Sequence, residues 1–291
     1  MENYIDESAK PLQALDKCRE RAKKLEIIKK RYLYEIAELI CDGIDHSVDM
    51  AEDLRRAYKE LIFSAESPVS DEERAKIAYF ISKILRSEIE SDGLDFFGIM
   101  RAPKPTTVSY AKNAYSDIAY RIFDLQLGGI YSEYADGFSA AAQSVYYENS
   151  SACILPISAD DGSIMSGIAR FVEKYDLKKV AVAAINTGGV QSTRFALFAH
   201  GIWCGDLADT IEFTVKSEDP FSVGRIITSA RFWGFKEISH NERVSSDSGE
   251  KYDIFTMKWS NYDSLAALLV YLTLEFERFN LMGLYKEFEE N

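Results

Sequence analysis

The stretch Val190-Gln191-Ser192-Thr193-Arg194-Phe195-Ala196-Leu197-Phe198 sets the reading of the whole chain. It is a polar loop that runs into a short apolar strand, with a hydroxyl and a guanidinium at the junction. Thr193 is of a type to donate a proton or hydrogen-bond a substrate, and Arg194 to hold a carboxylate through a bidentate fork. A plainer reading stands beside this one: Thr193 caps the loop and Arg194 is a solvated strand-edge residue. Three residues do not separate the two, because short motifs arise by chance. What lies on either side decides more.

The chain has 291 residues, a length that suggests about two domains, or three small ones. Hydrophobic content of 47% and charged content of 28% are ordinary for a globular protein. The formal net charge of −13 argues against nucleic acid, whose phosphates call for clustered Lys and Arg, and against an anionic membrane surface. A small anion in a local basic pocket stays open. Cys18, Cys41, Cys153 and Cys204 form no CxxC pair and read as buried free thiols in a reducing cytoplasm, since the start Met1-Glu2-Asn3-Tyr4-Ile5-Asp6 is polar and unlike a signal peptide. His46, His200 and His240 are too scattered to make a metal site, and no cofactor is expected. No apolar run approaches the ~18 residues of a membrane span.

Up to about residue 100 the pattern is helical. After Pro11, Leu15, Cys18, Ala22, Leu25, Ile28, Tyr32, Ile36 and Leu39 recur at three- and four-residue steps, which predicts a helix of roughly 30 residues ending near Gly43. Its apolar stripe should pack on other helices. Asp45 or Ser47 is expected to open a second helix, with Met50, Leu54, Ala57, Tyr58 and Leu61 inward. Past Pro68, Ser70-Asp71-Glu72-Glu73 is a capping box for a third helix through Ile77, Phe80, Ile81, Ile84, Leu85 and Ile89.

Between about 106 and 203 the pattern alternates. Strands are predicted at Val108–Ala111, Ile130–Tyr134, Ala152–Ile157 and Val180–Ile185, and helices at Tyr115–Leu127, Phe138–Tyr147 and Ser163–Tyr175. That order predicts an α/β unit with a largely parallel sheet. From about 207 the order is strand, helix, two strands, helix, strand. Ile211, Phe213 and Val215 mark the first strand, Phe221–Phe232 a helix, Glu237–Val244 and Tyr252–Trp259 a strand pair, and Leu281–Phe288 the last strand. Asp263 is expected to cap the helix through Leu265, Leu268, Leu269, Leu272, Phe276 and Phe279. This βαββαβ order is the ferredoxin-like pattern.

Three resemblances follow these patterns. Pro11-Leu12-Gln13-Ala14-Leu15, Glu35-Ile36-Ala37, and Asp53-Leu54-Arg55-Arg56 with Glu60-Leu61-Ile62 resemble the helical chorismate mutase fold, in which two chains interlock. That family holds its dianionic substrate with several cations. Here Asp16, Leu33, Asp53-Leu54 and Ser91 stand at matching places, while Arg21, Arg31, Arg55 and Arg56 remain nearby. Val108-Ser109-Tyr110 with Tyr115-Ser116, Leu155-Pro156-Ile157 with Gly162-Ser163-Ile164, and Thr193-Arg194-Phe195 resemble prephenate dehydratase, whose Thr-Arg-Phe threonine is catalytic. The resemblance implies Thr193 as the acid at the departing hydroxyl. It implies Arg194, Ser116, Asn113, Ser158 and Ser163 as substrate contacts. The glycine-rich turn of that family is shortened to Lys112-Asn113-Ala114, and its Glu-Asn-Ser-Ser-Glu loop reads Ser158-Ala159-Asp160-Asp161. The segment from Val180 to Thr193 leaves no room for a second lobe to close over a substrate. The last segment resembles an ACT domain, which in that family binds phenylalanine between paired domains. That implies Ser222, Val223, Asn241 and Arg243 as regulatory-ligand contacts, although Phe221-Ser222-Val223 replaces Gly-Ala-Leu and Asn241-Glu242-Arg243-Val244 replaces Glu-Ser-Arg-Pro. Phe221 is expected to fill the space a glycine would leave.

The expected architecture is therefore multidomain: an all-α, chorismate mutase-like segment at 1–102, a single α/β lobe resembling half of prephenate dehydratase at 106–203, and an α+β, ferredoxin-like, ACT-like domain at 207–291. The expected function is that of a diverged member of the fused chorismate mutase–prephenate dehydratases, related to phenylalanine biosynthesis. Full catalysis is expected to be lost, leaving a cytoplasmic homodimer, or a higher homo-oligomer, that binds an aromatic acid or amino acid. The alternative is an active lyase that turns prephenate into phenylpyruvate with Thr193 as acid. The acidic stretches Ser158–Asp161 and Glu287–Glu290 are expected to be solvated surface.

Overall fold

A computed structural model describes residues 5–44, 50–159, 163, 165–186, 188, 192–203, 205, 207–216, 220–244 and 249–290. The expected helix opening at Asp45 or Ser47, and Asp160 and Asp161, lie outside those residues.

The first helix, α1 (Ile5–Asp42), begins ahead of Pro11 and runs 38 residues. At 1.5 Å per residue it is about 57 Å long. Two 14-residue helices follow, α2 (Met50–Phe63) and α3 (Asp71–Ile84), and neither is long enough to cover it. Leu33, Ala37 and Ile40 are buried, whereas Leu15, Leu25, Ile27, Ile28 and Tyr32 remain exposed. Leu39 is exposed as well, so the buried face of α1 is Leu33, Ala37 and Ile40 in its second half, and of the expected stripe there only Ile36 packs on the core. Glu26 and Lys29 tie α1 to α3 through Lys76 at 2.8 Å and Glu73 at 2.9 Å. The capping box is formed: the Ser70 hydroxyl accepts from the Glu73 amide, and the Glu73 carboxylate accepts from the Ser70 amide. The expected third helix is divided. It stops at Ile84, and after Leu85 a short helix, α4 (Arg86–Asp92), leads into a 3-10 turn over Gly93–Phe97.

The described strands join in one mixed sheet of ten. Its first part comes from β1 (Thr107–Ala111), α5 (Ala114–Leu127), β2 (Tyr131–Ala135), α6 (Phe138–Tyr146), β3 (Ala152–Ser158), α7 (Ser166–Lys174), β4 (Lys178–Ile185) and β5 (Thr193–Ala199). The order is β2-β1-β3-β5-β4, with β1 parallel to β2 and β3, and β5 antiparallel to β3 and β4. Successive residues point to opposite faces of a strand. Val108, Tyr110 and Ile154 accordingly meet Ala119 and Phe123 of α5 on one face, while Cys153 and Leu155 meet Ala141 and Val145 of α6 and Ile168 and Val172 of α7 on the other. One α/β unit results, covered on both sides, as near-continuous apolar strands require.

The second part comes from β6 (Thr210–Lys216), α8 (Ser222–Phe232), β7 (Lys236–Val244), β8 (Lys251–Lys258), α9 (Tyr262–Glu275) and β9 (Phe279–Tyr285). Its order, β9-β6-β8-β7, with antiparallel neighbours, is the ferredoxin-like arrangement. Asn261, not Asp263, caps α9: its side chain accepts from the Ser264 amide, and Asp263 sits in the first turn. The two parts meet where Lys179 of β4 lies beside Gly283 of β9. A last strand, β10 (Glu287–Glu289), continues along β4 in parallel. Across this seam the Lys179 ammonium donates to both Glu212 carboxylate oxygens, at 2.7 and 2.6 Å, and the Tyr285 hydroxyl donates to the same carboxylate at 3.2 Å.

Helix α9 is buried from Ser264 to Thr273 on every side. One face lies on its own sheet, and the helical segment covers the other through α2 and α3. Glu275 closes that joint by accepting from the Arg74 guanidinium at 3.1 Å and from the Tyr58 hydroxyl. The helical segment and the ferredoxin-like unit thus share one hydrophobic core.

Candidate functional site

Strand order places the candidate site. The chain leaves β1 through α5 for β2 on one side, then returns through α6 to β3 on the other. Connections that diverge in this way open a crevice beyond the carboxyl ends of the strands, and ligands bind there in open α/β sheets. The ends in question are Ala111 of β1 and Ser158 of β3. Strand β5 runs the opposite way, so its first residues, Thr193 and Arg194, lie at the same edge.

At the end of β1, Asn113 caps α5. Its side-chain oxygen accepts from the Ser116 amide at 2.9 Å, and its amide group donates to the Ser116 hydroxyl at 2.8 Å and to the Ala111 carbonyl at 3.1 Å. Ser116 is completely buried. The two expected substrate contacts therefore satisfy one another, and what they build is a helix cap. Behind them Tyr110 stacks on Tyr120 and donates to Asp117 at 3.1 Å; burial, then Asp117, pushes its hydroxyl pKa up. Lys112 stands over the Tyr134 ring, 4.5 Å from its centre.

At the end of β3, Pro156 faces Phe195, and after a register shift Ser158 faces Arg194. A proline cannot donate to the ladder, which accounts for the irregularity. Thr193 is buried and pairs with Ile185 at the end of β4. Arg194 is half exposed, and its Nε lies 2.9 Å from a carboxylate oxygen of Glu287. Ser158 and Arg194 thus come together on neighbouring strands, while Thr193, one residue earlier on β5, points to the opposite face. Ser163 is exposed, and its carbonyl accepts from the Ala159 amide at 3.0 Å.

Glu287 belongs to β10, where Glu287, Phe288 and Glu289 pair with Val182, Ala183 and Ala184. The Asn186 amide at the end of β4 donates to the Glu290 carboxylate at 3.3 Å. The acidic tail is a strand that brings carboxylates to the edge carrying Thr193 and Arg194; Glu289 and Glu290 are exposed, as solvated surface would be, and Glu287 is half-buried beside Arg194. Nothing local in the sequence joins Glu287 to Arg194; the expected strand Leu281–Phe288 includes Glu287, but its division into β9 and β10 and the pairing of β10 with β4 are tertiary.

The expected regulatory residues share one edge of the ferredoxin-like sheet. Ser222 is buried in the first turn of α8, and Val223 packs on the core. Asn241 is exposed on β7, and Arg243 donates to Glu173 of α7 at 2.7 Å. Phe221 is 75% exposed.

This architecture defines a class: a multidomain α/β protein whose doubly wound unit is joined to a ferredoxin-like unit. Among solved structures, a prephenate dehydratase from Streptococcus mutans matches 63% of this chain and 99% of its own, with a TM-score of 0.50 at 13% identity. A structure described as GqqA, a novel type of quorum quenching acylase, matches 62% of this chain and 94% of its own, with a TM-score of 0.45 at 14% identity. The prephenate dehydratase of Arthrobacter aurescens in complex with L-Phe matches 62% and 90%, with a TM-score of 0.46 at 10% identity. No family model matches the chain, and no curated protein matches it. The likeness to the Streptococcus mutans enzyme is one of fold: this chain is folded like a prephenate dehydratase.

Proposed function

We propose that this chain is a diverged relative of the prephenate dehydratases, tied to phenylalanine biosynthesis, that has lost the full reaction and acts as an aromatic amino-acid-binding, regulatory homodimer in the cytoplasm. One observation carries the reading: the Arg194 guanidinium sits 2.9 Å from Glu287 of its own chain. An exposed ion pair of this kind is worth only ~0–1 kcal/mol, so it does not lock Arg194 away. The charge balance matters more. A dianion arriving at this edge meets Glu287, with Glu289 and Glu290 alongside, where it needs cations. Asn113 and Ser116 are spent on their cap. Because β4 ends at Ile185 and β5 begins at Thr193, no second lobe is inserted there to shut water out. The amino-acid ligand is assigned to the edge that carries Ser222, Val223, Asn241 and Arg243, by analogy with the ACT domains this segment resembles.

Incubation with chorismate and with prephenate tests the reading. Neither substrate should be consumed, and no phenylpyruvate should form. L-phenylalanine at ~100 times its dissociation constant should stabilise the fold by ~2.7 kcal/mol, read as a higher melting temperature. The second reading, an active lyase with Thr193 as acid, is favoured by the place of Thr193 at the sheet edge where Ser158 and Arg194 pair. Phenylpyruvate formation that disappears in Thr193→Val would establish it and end the first.

A further inference from the structure

A cavity of about 360 Å³ opens where the helical segment, the linker after it and the ferredoxin-like unit meet, away from Thr193 and from the Ser222 edge. We propose that it binds a small carboxylic acid with an apolar body, the carboxylate held by Arg101.

The size falls within the ~300–1,000 Å³ of small-molecule pockets, and junctions between structural units are where such pockets gather. Its walls are mostly apolar. Leu94 and Phe97 come from the 3-10 turn after α4, Leu265 and Leu269 from α9, and Leu284 from β9. Among the lining residues only Glu90 and Arg101 carry a charge. Glu90 is engaged by Arg86 at 2.7 Å. Arg101 has donors to spare: Nη2 donates to the Asp92 carbonyl at 2.7 Å, and the Asp95 carboxylate is 3.8 Å from Nε, beyond a hydrogen bond. A guanidinium has five N–H donors, so a planar carboxylate can be held by the remainder.

The backbone under Arg101 is fixed before any ligand arrives. The Ala102 amide donates to the Ile202 carbonyl at 2.9 Å, and the Ile202 amide donates to the Met100 carbonyl at 2.9 Å. At Gly201 a Cβ would come within 3.0 Å of the Arg101 carbonyl carbon, so glycine permits this approach. A second glycine, Gly93 with φ +60°, leaves the space that the Arg101 guanidinium occupies. The guanidinium itself is steadied by its bond to the Asp92 carbonyl, so it has less freedom to lose on binding, which favours affinity.

Titration calorimetry on the full chain with 3-phenylpropionate and with 3-phenylpropylamine tests the proposal, since the two share a body and differ in charge. The acid should bind and the amine should not. Arg101→Gln should weaken the acid roughly 10- to 100-fold, the loss of one charge-assisted hydrogen-bonding partner. Ala266→Phe, which fills the cavity from α9, should abolish binding. Circular dichroism checks that each variant folds, and if Ala266→Phe does not, Arg101→Gln alone decides. The proposal is overturned if the acid fails to bind at millimolar concentration, if acid and amine bind alike, or if Arg101→Gln binds the acid as well as the parent does.

Discussion

Glu73 shows how one side chain gains a measurable pH dependence from its place in a helix. Ser70 donates to its carboxylate through both hydroxyl and amide at 2.7 Å, and Lys29 of α1 stands 2.9 Å away. The Ser70 hydroxyl, then its amide, then Lys29 favour the charged form and draw the carboxyl pKa from 4.5 down to about 2, against a smaller opposing effect of burial. A carboxylate whose pKa is lowered by folding stabilises the fold above its unfolded pKa. That stabilisation is lost as pH falls from about 4.5 through about 2. Glu73→Gln keeps an acceptor for the cap but removes the titration. Melting curves between pH 7 and pH 2 should therefore show the parent losing its advantage over Glu73→Gln across that window. Two melting temperatures that fall in parallel would mean that Glu73 is not held in this way. The same scale separates Arg194 from Arg101. Each is a half-exposed guanidinium in an acidic chain. Arg194 has a carboxylate at 2.9 Å, whereas Arg101 has a carbonyl at 2.7 Å and a carboxylate only at 3.8 Å.

Among the elements, α9 is the one the fold is built around. The run Leu265 to Leu274 lacks the polar face of a surface helix, and a helix apolar all round is buried all round. That signal is present in the sequence, but nothing local says what covers the second face; the covering by α2 and α3 brings Arg74 and Tyr58 to Glu275, far along the chain. Legibility followed the range of the forces involved. Alternation and capping are local, so the strands of both units and the Ser70 box could be read directly. The division of the third helix at Leu85 and the break that sets Glu287–Glu289 apart from β9 are not written in the local pattern, whereas the Asn261 cap, a bond from Ser264 three residues on, is as local as the Ser70 box. For the candidate site, the adjacency of Thr193 and Arg194 is read from the chain itself; the pairing of Ser158 with Arg194 and the carboxylate opposite Arg194 are not. Glu275 tests the joint. Its side chain is 8% exposed and that of Arg74 is 19% exposed, so Glu275→Ala leaves a largely buried guanidinium without its counter-charge. Breaking such a pair costs ~3–5 kcal/mol. Urea denaturation should report a loss of that order. A loss below ~1 kcal/mol, the worth of a surface pair, would show that the helical segment is anchored to α9 by apolar packing alone.

At the scale of the whole molecule, one sheet carries both the α/β and the ferredoxin-like unit, and the seam between them is narrow. Strands β4 and β9 touch through Lys179 and Gly283, with the Lys179–Glu212 pair beneath and β10 extending the edge. Glycine at 283 is what lets the two backbones meet. A Cβ there would lie 2.7 Å from the Lys179 carbonyl oxygen and 2.6 Å from its Cβ, closer than real atoms come. Two effects of Gly283→Ala oppose one another. Restricting the unfolded chain stabilises by ~0.4–1 kcal/mol where the native conformation fits alanine. Forcing an atom into a packed seam costs ~1–3 kcal/mol, and here the obstacle is backbone, which cannot swing aside. The second effect should win, leaving a net loss of ~1–2 kcal/mol in urea denaturation. The location of the strain adds a second readout. A seam pushed open uncouples the two units, so transitions followed by tryptophan fluorescence (Trp203, Trp233 and Trp259) and by far-ultraviolet circular dichroism should coincide in the parent and separate in the variant. Gly283→Ala that is as stable as the parent, with coincident transitions, would contradict a continuous sheet and leave two units that merely lie side by side.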